Sequence, residues 1–432
     1  MYDAIFVGGG LNYAGAIVLA KRGKKVALVT EDLGELGGVC LHHGCIPSKN
    51  LLHRTKILYE IREDVFRSHK DPIKLKKLQS KLQAHIKSST DSITMQCKAA
   101  GVELIEGKGF VTDKSRVKAG KRVLEAKNII IGSGSQTFVP SGIEVDGKSI
   151  ITSKEALKLT KLPKSIAIYG SGAIGLEFAS FFAINGVKTH LLYRHDRISR
   201  KLHPTITEKL EEQLRDNGVL LEPNSSVSAA KRVDENVEIL FENHKTLKVE
   251  MMLVATGRRA DTDVVQTDKI KVEKGIKTDK FFETTLAGVF AIGDCNAKLQ
   301  LAHAARAQVL NVVDNILGKK EVLNLDNIPK FIYTLPLSYA FVGIKTEKEV
   351  SFPLSYLGIS GAVEGSKNGI VILYLDKEDF VMGAELFTPY AEELIGVFST
   401  ALAAELDVKT FKKAVFPHPT FSESIDRVLR RA

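Results

Sequence analysis

Cys40 and Cys45 lie in the run Gly37-Gly38-Val39-Cys40-Leu41-His42-His43-Gly44-Cys45-Ile46-Pro47-Ser48-Lys49. Two thiols separated by four residues close a small disulfide loop if one helical turn brings the sulfurs together. Such a pair cycles between disulfide and dithiol. At a helix start the sulfur nearer the N-terminus, that of Cys40, gains from the dipole, which favours its thiolate. The thiolate is the reactive form in disulfide exchange. The same spacing is open to two other readings, a pair of buried free cysteines or half of a metal site. Zinc would want two more soft ligands nearby, and Cys97 and Cys295 stand isolated, so no metal site is expected.

Two glycine-rich turns supply a second kind of chemistry, the binding of dinucleotides. The first is Gly8-Gly9-Gly10-Leu11-Asn12-Tyr13-Ala14-Gly15. Glycines after a strand allow a tight turn and let a pyrophosphate approach the helix N-terminus. This copy is imperfect, because Tyr13 holds the third glycine position; Gly15 is the candidate for the close helix–strand packing. A glycine-rich turn without a ligand is the bland alternative. The second turn, Gly170-Ser171-Gly172-Ala173-Ile174-Gly175, has the regular spacing between a strand and a helix. At the end of that unit's second strand an NAD site would carry an acid for the ribose hydroxyls. Here the run is Tyr193-Arg194-His195-Asp196-Arg197-Ile198-Ser199-Arg200. Arginines grip a 2′-phosphate through charge-assisted hydrogen bonds, so the run favours NADPH over NADH, with a solvated basic loop as the alternative.

The elements that must position these groups are legible from periodicity. Tyr2 to Val7 reads as a buried strand, Ala14 to Lys21 as a helix and Lys25 to Thr30 as a second strand, a βαβ unit. Leu51 to Ala100 reads as one or two long helices with Pro72 as the main breaker. Asn128 to Ile131 is a strand ending in Gly132-Ser133-Gly134-Ser135. A second βαβ unit runs from Ser165 through the strand His190 to Tyr193, and Met251 to Ala255 is a strand ending in Thr256-Gly257. Beyond about Pro329 strands and then helices follow, an α+β pattern. With 432 residues there is room for two to four domains.

Composition excludes several classes. The 61 Lys and Arg against 51 Asp and Glu give a net charge of +10, but the basic residues are scattered, so no nucleic-acid partner is expected. No run approaches the roughly 18 apolar residues of a membrane span. The strand-like run starts at Tyr2, which argues against a leader segment. With four cysteines, the expected location is cytoplasmic.

The redox run resembles that of the flavin disulfide reductases, which include dihydrolipoamide dehydrogenase, glutathione reductase and mercuric reductase. The resemblance covers nearly the whole chain, and the motifs follow in the family's order. It implies an α/β fold of two Rossmann-like dinucleotide-binding domains, for FAD and NAD(P), plus a C-terminal α+β dimerisation domain. The implied segments are 1–140 and 263–325 for FAD, 141–262 for NAD(P)H and 326–432 for the interface.

The resemblance also assigns roles. Cys45 would face the flavin and Cys40 attack the substrate disulfide, with Lys49 near the flavin ring and Glu177 paired to that lysine. For Glu177 an ordinary solvated helix charge is the alternative. Gly8, Gly10, Glu31 and Gly134 match FAD positions. Thr30 stands where the family has Glu, with Glu31 following, and one residue is missing before the first helix. Val289-Phe290-Ala291-Ile292-Gly293-Asp294 resembles the second FAD motif, in which the Asp holds the ribityl chain. Leu301-Ala302-His303 then follows, as in dihydrolipoamide dehydrogenases. Cys295 reads as a small buried residue. Gly170, Gly172, Gly175 and Gly257 belong to the NAD(P) site, where Arg194, His195 and Arg200 are spaced like the NADPH clamp of glutathione reductases.

Phe416-Pro417-His418-Pro419-Thr420-Phe421-Ser422-Glu423 resembles the C-terminal signature. It would make His418 the general acid–base and Glu423 its orienting partner. In the family this His reaches the other subunit's disulfide, which makes a homodimer the catalytic unit.

Substrate identity is divided. There is no extra C-terminal cysteine pair. Ile17 or Val18, and Leu310, stand where glutathione reductases hold glutathione with arginines. Leu337 stands where the family usually has Glu. The leading reading is an FAD-dependent NAD(P)H:disulfide oxidoreductase acting on lipoamide or another small or protein-borne disulfide. The alternatives are a diaphorase, quinone reductase or transhydrogenase on the same fold, a glutathione-reductase-like enzyme, and a non-enzymatic FAD-holding subunit.

Overall fold

The computed structural model describes residues 1–63, 72–363 and 365–432. It divides into two compact units, the first made of Met1–Lys49, Lys76–Phe138 and Gly257–Leu325, the second of Asn50–Leu75, Val139–Thr256 and Asp326–Ala432.

In the first unit the apolar run Tyr2–Val7 is the central strand of a sheet. It pairs in parallel with Val26–Thr30 on one side and Arg122–Ile131 on the other. Glu103–Glu106 extends the sheet beyond Val26–Thr30, and Val289–Ala291 adds in parallel to Arg122–Ile131. Strands buried on both faces are near-continuously apolar, as Tyr2–Val7 and Val26–Thr30 are. The helices Asn12–Lys21 and Ala302–Ile316 pack on one face through Ala16, Leu19, Val309 and Val313. The register sets Val7 against Ile131 and Ile131 against Ala291. The chain segments that follow these three residues therefore emerge together at one edge of the sheet, where ligands of open α/β sheets bind.

The second unit repeats the plan. Its five-stranded parallel sheet runs in the order Val219–Glu222, Lys188–Leu192, Ser165–Tyr169, Met251–Val254, Ile150–Ile151. The helix Ala173–Ile184 lies between the strands Ser165–Tyr169 and Lys188–Leu192 in the chain. A three-stranded antiparallel ribbon spans Val227–Val249. The C-terminal part is a five-stranded antiparallel sheet ordered Lys330–Ile332, Ser338–Gly343, Val381–Thr388, Ile370–Leu375, Lys348–Pro353. The helices Ala391–Ala403 and Glu423–Arg431 cover one of its faces through Phe398, Ile425 and Val428. Where one or two long helices were expected after Leu51 there are Cys45–Glu63 and Leu75–Ala99, and the part of that stretch from 64 to 71 lies outside the described residues. Among the described residues no helix is long and apolar enough to cross a membrane.

Candidate active site

The redox run is two helices rather than one turn of a single helix. Gly38–His43 carries Cys40, Gly44 interrupts it, and Cys45 opens the helix Cys45–Glu63. The positive φ angles of Gly37 and Gly38, 100° and 63°, turn the chain into the first helix. A Cβ on Gly38 would stand 2.8 Å from Gly10 Cα, so the redox segment lies directly on the first glycine-rich turn. In this structure Cys40 and Cys45 are thiols joined by a hydrogen bond. That bond is the first cause, and burial the second, of a Cys40 thiol raised well above its ordinary value.

The dipole expectation for Cys40 is therefore corrected. Cys40 sits in a six-residue helix, whereas Cys45 holds the N-terminus of a nineteen-residue one, so the longer dipole favours the Cys45 thiolate. Lys49 lies one turn beyond Cys45 with its Nζ buried. His43 Nε2 meets Glu35 Oε1 at 2.9 Å, and His42 Nε2 lies 3.1 Å from both Leu36 O and Thr90 Oγ1, so both histidines of the run anchor it.

The strand-end edge of the first unit gathers Gly8, Gly10, Gly134, Gly293 and Asp294. The shortened first turn is completed by Asn12. Its Nδ2 donates to Val7 O at 2.9 Å and Gly8 O at 3.2 Å, and the residue is 1% exposed. Gly15 gives the close packing expected of it, since a Cβ there would run into Val309 and Phe6. Glu31 is exposed just past Val26–Thr30. Ala302 is the first residue of the helix Ala302–Ile316, whose Gln308 Oε1 accepts from Gly293 N at 2.8 Å.

Two residues not singled out from sequence complete this edge. Ser135 Oγ donates to Asp294 Oδ2 at 2.5 Å, and Arg258 Nε donates to Ser135 Oγ at 2.8 Å while Nη2 reaches Ser135 O at 2.6 Å. Burial raises the Asp294 carboxyl, and Ser135 and then Arg258 oppose the rise. Burial likewise lowers Arg258, while the charges of Asp294 and then Cys45 support its cationic form. The only sequence signal for Arg258 was its place after Gly257, which has φ 115° and accepts Phe138 N at 3.0 Å. A glycine turn at a helix N-terminus, a half-buried carboxylate and the thiol pair, all in one unit, fit a flavin dinucleotide.

In the second unit Gly172 caps Ala173–Ile184, and Gly175 packs on Gly170 O, where a Cβ would overlap it. Ser171 Oγ donates to Ile198 O at 2.6 Å, tying this turn to the 194–203 loop. Arg194 and His195 are exposed on that loop. Arg200 is paired within the loop, its Nη2 2.8 Å from Asp196 Oδ1, a pairing the sequence reading did not anticipate. The turn and the exposed basic loop fit the pyrophosphate and adenosine end of a nicotinamide nucleotide. Glu177 Oε1 accepts from Tyr333 N at 3.1 Å. Gln213 brackets Leu337, accepting from its N at 2.9 Å and donating to its O at 3.1 Å.

His418 Nδ1 lies 3.0 Å from Glu423 Oε2, and Glu423 Oε1 accepts from Thr420 N at 3.0 Å. The carboxylate is thus fixed at both oxygens, and Nε2 of His418 is the ring atom left to exchange a proton. The hydrogen bond from His418 is the first cause of a Glu423 carboxyl held below its ordinary range. Among the described residues no three His, Cys, Asp or Glu are grouped to hold a metal ion.

Two dinucleotide turns, a thiol pair on one of them and an imidazole–carboxylate pair define a flavin-dependent pyridine nucleotide–disulfide oxidoreductase. The chain belongs to that family: residues 2–308 match the pyridine nucleotide-disulphide oxidoreductase family and residues 328–429 its dimerisation domain. It is 32% identical to dihydrolipoyl dehydrogenase 2, chloroplastic, of Arabidopsis thaliana, over 100% of this chain and 82% of that one. It is 31% identical to a dihydrolipoyl dehydrogenase of Bacillus subtilis, over 98% of this chain and 96% of that one. In fold it is similar to the HOCl-induced flavoprotein disulfide reductase RclA of Escherichia coli, with TM-score 0.89, 24% identity and 99% of both chains covered for the Cu(II) complex. LpdA of Mycobacterium tuberculosis gives TM-score 0.90 at 22% identity, again over 99% of both chains. The chain is an enzyme of this family, which uses FAD and NAD(P)H, and it is dihydrolipoamide dehydrogenase-like.

Proposed function

We propose that the chain is an NADPH:disulfide oxidoreductase that works as a homodimer on a lipoamide-like or other small or protein-borne disulfide. The observation that carries this reading is the hydrogen-bonded pair Cys40 and Cys45, on a segment that packs through Gly38 on Gly10 of the first nucleotide turn. Gly8, Gly10, Glu31, Gly134, Gly293, Asp294 and Ala302 would hold FAD, which when bound would supply a two-electron relay between the nicotinamide and the thiols. Segments 1–140 and 263–325 form its domain, 141–262 the nucleotide domain with Gly170, Gly172, Gly175 and Gly257, and 326–432 the dimer interface.

In the reduced protein His418 Nε2 takes the Cys40 proton, Cys40 attacks one sulfur of the substrate disulfide, and the other sulfur leaves with that proton as a thiol. The Cys45 thiolate then attacks Cys40, forming the internal disulfide and releasing the second product thiol. His418 Nε2 delivers a proton to a departing sulfur, and Glu423 holds the ring and stabilises its charge. Lys49 and Glu177 serve the flavin side. Arg258, supported electrostatically by Cys45, favours the Cys45 thiolate.

A screen of lipoamide, glutathione disulfide and protein disulfides with both nucleotides tests the reading. NADPH-driven turnover of lipoamide or another disulfide, lost in Cys45→Ser, supports it. Undiminished turnover in Cys45→Ser contradicts it and leaves a diaphorase or quinone reductase.

A further inference from the structure

Glu385 is a charged residue in the middle of the C-terminal sheet, with 0% exposure. It lies on Val381–Thr388, flanked in register by Phe341 and Ile372. A buried carboxylate is costly unless it is fully hydrogen-bonded. Four donors meet this one. Tyr339 OH reaches Oε1 at 2.7 Å, Lys345 Nζ reaches Oε1 at 2.9 Å, Tyr374 OH reaches Oε2 at 2.6 Å, and His203 N reaches Oε1 at 3.1 Å. Both phenols are raised above their ordinary value, first by burial and then by Glu385 itself, so they remain donors.

Two of these contacts leave the sheet. His203 ends the exposed loop that carries Arg194, His195 and Arg200, and it caps the helix Pro204–Asp216. Lys345, while bound to Glu385, also donates to Lys201 O at 2.7 Å. His203 Nδ1 accepts from Thr205 N at 3.2 Å, so Nε2 carries the ring proton and donates to Glu349 Oε1 at 3.1 Å. The front of the loop is held by the nucleotide sheet's own elements, through Ser171 to Ile198 O and Glu211 to Ile198 N. Its rear is held by the C-terminal sheet.

We infer that Glu385 and Lys345 are positioning residues for the nucleotide, fixing the rear of the 194–203 loop so that Arg194 and Arg200 meet the 2′-phosphate of NADPH. An apolar residue at 385 would serve the sheet's packing equally well. What the carboxylate adds is a directed bond to the His203 backbone and, through Lys345, one to Lys201. Fixed anchors are what a charged clamp needs, because a loose clamp gives up its gain to loop ordering. The inference rests on the reading that this loop selects NADPH.

The test is calorimetric binding of 2′,5′-ADP and 5′-AMP to the holoenzyme, with kcat and KM for NADPH, in wild type, Lys345→Met, Lys345→Arg and Glu385→Gln. Wild type should bind 2′,5′-ADP at least about tenfold more tightly than 5′-AMP. Lys345→Met and Glu385→Gln should reduce that ratio about fivefold and raise KM for NADPH with kcat retained, the size of one misaligned charge-assisted hydrogen bond. Lys345→Arg should restore the ratio. Lys345 keeps 36% side-chain exposure, so its variants decide the matter even if Glu385→Gln fails to fold. A wild type that favours 2′,5′-ADP, with Lys345→Met keeping the ratio or losing both ligands equally, overturns the inference alone. A wild type that binds both ligands equally overturns the NADPH reading and the inference with it.

Discussion

His418 Nδ1 and Glu423 Oε2 stand 3.0 Å apart, with the imidazole side chain 76% exposed and the carboxylate side chain 14%. One partner faces outward and the other anchors it. Because His418 holds the Glu423 carboxyl below its usual 4.5, Glu423 remains anionic as pH falls towards that value. His418→Ala should slow the thiol–disulfide half reaction about 10²- to 10⁴-fold, leaving flavin reduction by NADPH near normal. Glu423→Gln should slow the same half reaction, because the ring loses the carboxylate that orients it. Rapid mixing separates the two halves, and an unchanged oxidative half in His418→Ala would remove His418 from the chemistry.

The Cys40 thiol is raised first by its hydrogen bond with Cys45 and then by burial. A raised thiol stays protonated through neutral pH, so in the reduced enzyme Cys45 should be alkylated at lower pH than Cys40. Cys45→Ala removes the partner, and Cys40 should then react with iodoacetamide at lower pH than it does in the wild type. Mass mapping of both cysteines across pH checks the order. Earlier labelling of Cys40 in the wild type would reverse the assignment.

Ser135 links Arg258 to Asp294 by hydrogen bonds. Ser135→Ala and Arg258→Met should each loosen FAD, by about tenfold or more in Kd if one hydrogen bond to a charged group of about 1.5–3 kcal/mol is lost. The measurement is flavin release followed by fluorescence. Wild-type retention in both variants would make the chain Arg258–Ser135–Asp294 purely structural.

Arg200 is paired with Asp196 within its own loop. Asp196→Asn should free it and increase the preference for NADPH over NADH. Arg194→Glu with Arg200→Ala should weaken NADPH far more than NADH, and the wild-type preference should shrink as salt rises. Equal kcat/KM for the two nucleotides in wild type would leave both arginines as surface charges.

The sequence exposed what is local. Tyr2–Val7 and Ser165–Tyr169 are read directly from their apolar runs, because a strand's side chains sample its own burial. The glycine turns are local patterns as well, and the His418–Glu423 pair, five residues apart, is implied by the family resemblance. What stayed hidden is long-range. Ser135 and Asp294 are 159 residues apart, and His203 and Glu385 are 182 apart. Each is brought together by strand order that no local pattern encodes. The helix break at Gly44 was missed for a different reason. Its φ of −146° and ψ of −113° interrupt the helical turn that would join the two cysteines, and that break puts Cys45 at the long helix's start.

The central claim is that Cys40 and Cys45 form a second two-electron store beside the flavin. Anaerobic titration of the oxidised holoenzyme with NADPH, recorded by absorbance, measures this store directly. The account predicts uptake of about four electrons per FAD, two for the flavin and two for the disulfide, with a long-wavelength band from a thiolate beside the flavin. Uptake of about two electrons with no such band, in wild type and Cys45→Ser alike, would contradict it.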